Sequence, residues 1–232
     1  KDYCDLFFVS NDDMKTELIN DYNIPETKVF VTGIPLSDRF LDDFKEDECF
    51  DVLRLKKEKK VLLFFGGGEF GLGEKRTVKV LKSLANHLDE YQIVAISGRN
   101  KKMNNEFLKL YKKVKNDDLH IYKYTTNVPE LMYISSLVVT KPGGLTSTES
   151  LASGLPMLII NPIPGQEEEN ARFLEKSGAA VWIKKDDDID MIVDNLLKDT
   201  DKLEKMKENC LALSKRDSTK NICNIILEKN KK

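Results

Sequence analysis

The sequence predicts an α/β fold in which helices cover both faces of a doubly wound parallel sheet. Two apolar runs, Val61–Phe65 and Ile93–Ile96, lack alternation and are typical of strands buried on both faces. Between them, apolar residues recur at helical spacing from Val78 to Leu88. A glycine-rich turn, Gly66–Gly68, follows the first run. Strands that alternate with helices in this way form a parallel sheet.

The other elements follow from the same apolar patterns and turn residues. The segment Asp38–Lys60 is charged and poorly periodic, which predicts a linker with one helical piece near Phe50–Lys57. The tail, Ile189–Lys232, is predicted to be helical in two or three pieces. Further helices are predicted at Met14–Asp21 and around Phe107–Val114, and further strands at Asp5–Ser10, Val29–Thr32, His120–Tyr122, Leu137–Thr140, Pro156–Ile160 and Ala180–Ile183.

Composition limits the classes of protein to consider. A chain of 232 residues can bury one sizeable core or two modest ones. Its 41% hydrophobic and 33% charged residues are typical of an ordinary globular protein. No apolar run approaches the roughly 20 residues of a membrane span. The formal net charge of −2 gives no reason to expect a nucleic-acid partner. Four cysteines without C-x-x-C spacing predict reduced thiols of a cytosolic protein.

The most informative stretch runs from Thr140 to Ala180. Gly143 and Gly144 follow a predicted strand and allow the backbone to approach a ligand closely. The next helix is expected to begin at about Leu145, so its free N–H groups and positive dipole end would hold a phosphate or diphosphate. The alternative is an ordinary helix–strand unit without a ligand.

A second glycine motif, Gly66–Gly71, matches the G-x-G-x-x-G pattern after a strand and before a helix. A dinucleotide site is the obvious alternative, but it needs an acidic residue at the end of the second strand. That strand ends in Ser97–Asn100, which contains no acid. A tight turn without a ligand is a further alternative.

Other polar groups predict structure rather than chemistry. The D-x-D string in Asp186–Asp188 precedes a helix and is expected to form a turn and a helix cap rather than a metal site. His87 and His120 have no partner carboxylate in a motif and are expected to be structural. Neither a Ser-His-Asp arrangement nor a pair of catalytic carboxylates is evident. We therefore expect no metal ligand and no catalytic residue in this chain.

Four segments in order resemble the nucleotide-sugar-binding half of GT-B glycosyltransferases. They are VTGIP at Val31–Pro35, FFGGGEFGLGE at Phe64–Glu74, SGRNKK at Ser97–Lys102, and the KPGG…PGQE string that begins at Lys141. The chain is most similar to monogalactosyldiacylglycerol synthases and processive diacylglycerol glucosyltransferases. The resemblance implies a Rossmann-like C-terminal domain. It also implies hexose transfer from a UDP-sugar to diacylglycerol or glycosyl-diacylglycerol, with inversion and without a cofactor.

The resemblance also implies roles for individual residues. The phosphate cradle would consist of Gly67, Gly68, Gly143, Gly144, Leu145 and Thr146, and Arg99 would pair with phosphate unless it is a plain surface residue.

Three further roles concern the ends of the donor. Tyr124 would stack on uracil, although a half-buried core tyrosine is the alternative. Glu149 lies one turn after Thr146, with Cβ atoms about 5–6 Å apart, and would bind the ribose diol unless it is an ordinary first-turn acid. Gln166 and Glu167 would recognise the sugar hydroxyls, while Asn170 would support their loop. A solvated acidic helix start is the alternative for Glu167.

The chain is expected to be the C-terminal part of a two-domain enzyme and inactive alone. Residues 1–37 would end the N-terminal domain and 38–60 would form a linker. Residues 61–215 would form the UDP-sugar domain, followed by a C-terminal helix at 216–232. The absent N-terminal domain would carry the acceptor site, the catalytic base and most of the membrane contact. We expect a cytoplasmic location, peripheral on the inner face of the membrane, where the lipid acceptor lies.

Three alternatives stay open at this point. They are GlcNAc transfer to a lipid-linked muramyl peptide, a UDP-sugar epimerase on the same fold, and a UDP-sugar-binding module without chemistry. The sequence does not distinguish glucose from galactose.

Overall fold

A computed structural model describes residues 4–67 and 73–229. Strands and helices alternate along these ranges. The strands are β1 Phe7–Val9, β2 Val29–Val31, β3 Lys60–Phe65, β4 Tyr91–Ile96, β5 Leu119–Tyr122, β6 Ser135–Thr140, β7 Met157–Ile159 and β8 Ala180–Trp182. The helices are α1 Asp12–Asn20, α2 Glu46–Leu53, α3 Glu74–Leu84, α4 Lys101–Val114, α5 Val128–Ile134, α6 Gly144–Ala152, α7 Gln166–Lys176, α8 Ile189–Lys198, α9 Thr200–Leu213 and α10 Ser218–Lys229.

Six strands form one parallel sheet in the order β5-β4-β3-β6-β7-β8. The chain winds outward from β3 to β5, returns to the centre at β6, and then winds to β8. The carboxyl ends of β3 and β6 therefore meet where the winding direction reverses, the place at which open sheets bind ligands. The predicted doubly wound parallel sheet is confirmed. A separate parallel pair, β1 and β2, precedes it.

The sheet is buried on both faces, which explains its continuous apolar strands. Phe64 points to one face, where its ring meets the edge of Phe107 from α4 with centroids 5.7 Å apart. Leu63, the neighbouring residue on β3, points to the other face and belongs to the cluster that contains Phe50 and Leu131. Burial of both faces removes the polar alternation that a half-exposed strand would show.

A buried polar group joins β4 to the chain before β3. The Gln92 side chain is fully buried and donates to the carbonyls of Lys56 and Lys59, at 2.6 and 3.0 Å. Its oxygen accepts from the Lys56 amide at 3.0 Å. Lys59 Nζ also donates to Asp118 Oδ2 at 2.8 Å, and Lys56 Nζ lies 2.7 Å from Asp118 Oδ1. These bonds fix the entry into β3 relative to β4 and β5.

The helix predicted at Phe50–Lys57 instead lies at Glu46–Leu53, so this boundary prediction was wrong. Arg54 adopts a left-handed conformation, with φ of 54°, and ends the helix. The acidic residues that begin α2 are favourable near the positive end of the helix dipole. Phe40, Cys49 and Phe50 from this segment are buried in the core.

The turn and helix cap predicted at Asp186–Asp188 are confirmed. Asp188 caps α8 by accepting from the Met191 amide at 3.1 Å, and Asp187 accepts from the Lys184 amide. His120 lies within β5, where burial lowers its pKa.

The end of the chain returns to the region before β3. Thr219 Oγ1 lies 3.3 Å from the Leu36 carbonyl oxygen and donates to it. A Cβ on Gly33 would come within 2.6 Å of Lys215 Cβ, so backbone and side chain are closely packed here. The tail forms three helices, in agreement with the prediction. In the described part of the chain, no helix combines the length and the apolarity needed to span a bilayer.

We predict that Asp118→Asn lowers the free energy of unfolding at pH 7 by about 1–3 kcal/mol, since it removes the negative charge and one of the two oxygens that pair with Lys56 and Lys59 at a buried site. Burial raises the Asp118 pKa, but hydrogen bonds from Lys56 and Lys59 outweigh it and leave the pKa below its usual value. This stability is therefore present above the unfolded-state pKa and is lost as the pH falls through the folded-state pKa. Urea unfolding from pH 7 down to pH ~3 should show the difference shrinking. Asp201→Asn, at an exposed position, is the control; equal losses would contradict the prediction.

Candidate functional site

A cavity of about 300 Å³ opens at the carboxyl edge of the sheet, above β3, β4 and β6. Its position is the reversal point of the winding, so loops from separate strands converge on it. Seven of its nine lining residues lie at strand ends, or in the turns that follow them. The lining residues are Phe65, Gly67, Ile96, Gly98, Thr140, Lys141, Gly143, Thr146 and Glu167.

The turn before α6 presents unsatisfied backbone donors to this cavity. Gly143 is the N-cap residue, and no side chain caps the helix. By contrast, α1, α4, α8 and α9 are capped by Asn or Asp side chains. The first N–H groups of α6 have no acceptor within the helix. A Cβ built on Gly143 would meet nothing within 4 Å. The helix begins at Gly144, one residue before the predicted start, and its end is open to an anion.

Two glycines on the opposite wall adopt conformations that side chains disfavour. Gly67 has φ of +87° and Gly98 has φ of +62°. A Cβ on Gly98 would lie 3.9 Å from the Gly67 carbonyl oxygen. The two loops therefore approach closely through bare backbone. Of the predicted cradle, Gly67, Gly143 and Thr146 line the cavity. Gly68 lies outside the described residues.

Lys141 is a site residue that the sequence analysis missed. It follows β6 directly and is half-buried. Its Cε lies 3.6 Å from the position of a Cβ on Gly67, so the ammonium group extends from one wall of the cavity to the other. In the described ranges, no carboxylate lies within ion-pair distance of it. The sequence pattern that could have identified it is a single lysine between a buried strand and the glycine pair Gly143 and Gly144.

The structure places Arg99 and Tyr124 outside the cavity lining. Arg99 is exposed in the turn after β4, next to Gly98. Tyr124 follows β5 and is 78% exposed, so the alternative of a half-buried core tyrosine is wrong. Leu145 is 64% exposed at the first turn of α6, where its backbone contributes to the open helix end. These groups are available to a ligand that extends beyond the cavity.

Glu149 is half-buried on α6, one turn after Thr146. The structure shows no hydrogen bond or ion pair to its carboxylate from any described residue. Burial raises its pKa above the usual value, because a charged carboxylate loses hydration there. A half-buried carboxylate with a raised pKa and no described partner is a candidate ligand-binding group.

The start of α7 is bound to the loop before it and to the turn between β6 and α6. Glu167 lines the cavity, and its Oε2 accepts from the Ile163 amide at 2.7 Å. Asn170 was expected to support the loop of Gln166 and Glu167; its Nδ2 instead donates to the Pro142 carbonyl at 2.9 Å, which ties α7 to the turn before α6. Gln166 is exposed at the first position of the helix. One oxygen of Glu167 is thus occupied by the loop, whereas Gln166 has no such bond.

Comparison with known proteins gives one family. Residues 61–223 match the family model described as the glycosyltransferase family 28 C-terminal domain. The processive diacylglycerol beta-glucosyltransferase of Bacillus pumilus (strain SAFR-032) is 35% identical over 226 residues, which is 97% of this chain and 58% of that protein. The protein of the same name from Bacillus cereus (strain ATCC 10987 / NRS 248) is 33% identical over the same share of this chain. The chain therefore spans less than three fifths of these relatives.

Solved structures share the fold. The S. aureus MnaA-UDP co-structure has a TM-score of 0.73 at 17% identity and covers 96% of this chain and 60% of that one. A putative UDP-N-acetylglucosamine 2-epimerase from Listeria monocytogenes has a TM-score of 0.75 at 15% identity, with coverage of 98% and 60%. At such low identity, this similarity establishes the architecture alone.

We predict that Glu149→Gln increases the free energy of unfolding at pH 7. A neutral amide avoids the cost of burying a charge without a partner. The sign follows from the raised folded-state pKa: the penalty is absent below the unfolded-state pKa and grows as the pH rises through the folded-state pKa. Urea titrations at pH 7 and at about pH 4 should show a gain only at the higher pH. Glu169→Gln, an exposed neighbour in α7, should change stability little at either pH. A loss of stability at pH 7 would mean that Glu149 has a favourable partner in the fold.

Proposed function

We propose that this chain, which belongs to the glycosyltransferase family 28 C-terminal domain family, is the donor-binding part of an inverting hexosyltransferase. The enzyme would move glucose or galactose from a UDP-sugar to diacylglycerol or glycosyl-diacylglycerol in glycolipid synthesis. The names of the relatives at 33–35% identity support this substrate class. The sheet has the fold of the C-terminal domain of GT-B enzymes.

One observation carries the proposal. The uncapped start of α6, the Lys141 ammonium group and the bare backbone at Gly67 face a single cavity. Backbone N–H groups, a helix dipole and a cation together suit a diphosphate. The same groups would stabilise the negative charge that develops on UDP as the bond to the hexose breaks. This chemistry needs neither a cofactor nor a metal ion, so we propose that the donor binds without either.

The order of the strands supports an orientation for the rest of the donor. Tyr124 follows β5 and Gln166 follows β7, so they lie on opposite sides of the central strands. We assign uracil to the Tyr124 side and the hexose to the Gln166 side. Glu149 would accept hydrogen bonds from the ribose diol, which would supply its carboxylate with partners. Arg99, exposed beside the cavity, would pair with a phosphate oxygen when the donor is present.

The catalytic base and the acceptor site are assigned to the part of the relatives that this chain does not span. The proposed division places the end of the N-terminal domain at 1–37, a linker at 38–60, the donor domain at 61–215 and a C-terminal helix at 216–232. The contact between Thr219 and Leu36 supports a helix that returns to the connecting segment. The base would take the proton of the acceptor hydroxyl as that oxygen attacks the anomeric carbon from the face opposite UDP. The enzyme would act peripherally on the cytoplasmic face of the membrane.

The first test concerns nucleotide binding by the chain itself. We predict that UDP binds in the presence of EDTA. Glu149→Ala should weaken UDP binding by about 1–3 kcal/mol, the scale of a hydrogen bond to a charged acceptor, but should leave binding of inorganic diphosphate almost unchanged. Lys141→Met should weaken both ligands, since a cation at the diphosphate would act on either. Isothermal titration calorimetry measures the affinities of the parent and of both variants for each ligand.

Lys176→Met, which removes an exposed lysine from the far end of α7, is the matched control. Loss of UDP binding in EDTA would contradict the metal-free site. Equal losses of both ligands in Glu149→Ala would show that this residue acts on the fold or on the phosphates.

The second test concerns sugar choice in the longer enzyme. We predict that Gln166→Ala compresses the preference between UDP-glucose and UDP-galactose, because a site built to bind a hydroxyl rejects the sugar that misplaces it. Inhibition by UDP should stay within about threefold, or roughly 0.6 kcal/mol. Glu167→Gln is the companion variant, since its amide oxygen can still accept from Ile163. Competition assays with both donors give the preference. An unchanged preference with a parallel fall in UDP affinity would assign Gln166 to the scaffold.

A further inference from the structure

Helices α3 and α4 carry a concentration of positive charge that the donor site does not use. They pack beside each other on one face of the sheet and contribute to the same core cluster. Their 25 residues contain nine cationic side chains and two carboxylates, a net charge of +7. The whole chain has a net charge of −2, so the remainder carries −9. The basic charge is therefore local to this helix pair.

The outward faces of the two helices consist largely of lysine. On α3 the exposed positions Lys75, Lys79 and Lys82 recur at helical spacing and form one stripe. On α4 the exposed lysines extend from the first turn to the last. They are Lys101, Lys102, Lys109, Lys112 and Lys113. An α-helix of this length extends about 21 Å. The cations therefore cover a broad face, which we call the basic face.

Most of these lysines lack a carboxylate partner. Within the described ranges, Lys109 pairs with Glu106 at 2.6 Å, whereas the other seven lysines of the basic face have no ion pair. Some lysines on other helices do have one, as Lys198 has with Asp194 and Lys205 with Glu208, so the local excess of cations is what distinguishes the basic face. Arg76 donates to the carbonyls of Lys184 and Lys185, which holds it in the scaffold. Unpaired like charges repel one another, so an anionic surface that approaches the basic face lowers its electrostatic free energy.

A groove between the helices adds shape to the charge. It has a volume of about 450 Å³, and its lining includes Lys102, Asn105, Leu108 and Lys112, together with the carboxylates Glu74 and Glu106. Leu108 is 39% exposed among the lysines. An apolar side chain surrounded by ammonium groups suits a lipid–water interface. There the leucine meets the acyl chains and the ammonium groups meet the headgroups.

We propose that the basic face docks the chain on an anionic phospholipid bilayer. The inference deepens the proposed function, since a transferase that acts on diacylglycerol must work at a bilayer surface. It assigns part of the membrane contact to this half of the enzyme, whereas the sequence analysis placed most of it in the other half. The partner is a planar surface of phosphate headgroups, because the lysines are spread along both helices. The start of α4 adjoins the Gly98 turn, so a docked bilayer would lie beside the donor cavity.

The test is sedimentation of the 232-residue chain with vesicles of phosphatidylglycerol and phosphatidylcholine, compared with vesicles of phosphatidylcholine alone. We expect binding to the mixed vesicles only, with a steep decrease as salt rises, because exposed charges are screened. The variant Lys75→Gln, Lys79→Gln, Lys112→Gln, Lys113→Gln should lose at least about tenfold in partitioning, since each lysine near an anionic surface contributes additively.

The control removes the same charge elsewhere: Lys176→Gln, Lys202→Gln, Lys207→Gln, Lys220→Gln, at exposed positions of α7, α9 and α10. It should partition within about twofold of the parent, as its lysines do not face the bilayer. Equal losses in both variants, no binding to mixed vesicles, or stronger binding to a short DNA duplex at the same salt would overturn the proposal. UDP affinity of each variant, measured in parallel, separates the two hypotheses. A variant that loses vesicle binding but still binds UDP has changed the basic face alone. A variant that loses UDP binding but still binds vesicles has changed the donor site.

Discussion

The arrangement of the site depends on one constraint: the first N–H groups of α6 have no hydrogen-bond partner among the residues that the structure describes. Four helices of the chain begin with an Asn or Asp side-chain cap, whereas this one begins at a glycine turn above the reversal point of the sheet. A side chain that capped α6 would fill the place of an anion. The glycines at positions 67 and 98, with their positive φ values, keep the opposite wall equally bare. Lys141 adds a full positive charge to this cavity, whereas the backbone dipoles contribute only partial charges.

Polar groups left without a described partner at the site lower the stability of the fold, and the packing of the sheet offsets this loss. Among the described residues, the Glu149 carboxylate and the N–H groups at the start of α6 have no protein partner, which is unfavourable for folding. Elsewhere in the described residues Gln92 and Asp118 have close partners, whereas a few buried polar atoms, such as His120 Nε2 and Ser147 Oγ, have none. The continuous apolar strands, packed on both faces, provide the main stabilisation. Stability is thus concentrated in the sheet, while the edge above it stays unsatisfied and ready to bind.

The sequence was sufficient for the strands of the sheet, and it predicted four of the residues that line the cavity, namely Gly67, Gly143, Thr146 and Glu167. The differences have physical reasons. Continuous apolar runs and glycine turns are local signals, so the strands and the start of α6 were predicted to within one or two residues. The boundary of α2 was missed because Arg54 takes a left-handed conformation that a non-glycine residue rarely adopts. Lys141 was missed because its role depends on its distance to Gly67, which is set by the pairing of β3 with β6. The exposure of Tyr124 likewise depends on the sheet ending at β5.

The bond from Asn170 to the Pro142 carbonyl has a consequence for how such a protein can diversify. It fastens α7 to the turn before α6, so the side of the cavity proposed for the hexose and the side proposed for the diphosphate are held together. An insertion in the loop between β7 and α7 would shift both at once and would be tolerated poorly. The turn that carries Tyr124 has no such bond to either loop among the described residues. The turn proposed to hold the base can therefore change without moving the other two loops, whereas a change in length beside α7 would alter both sides of the cavity.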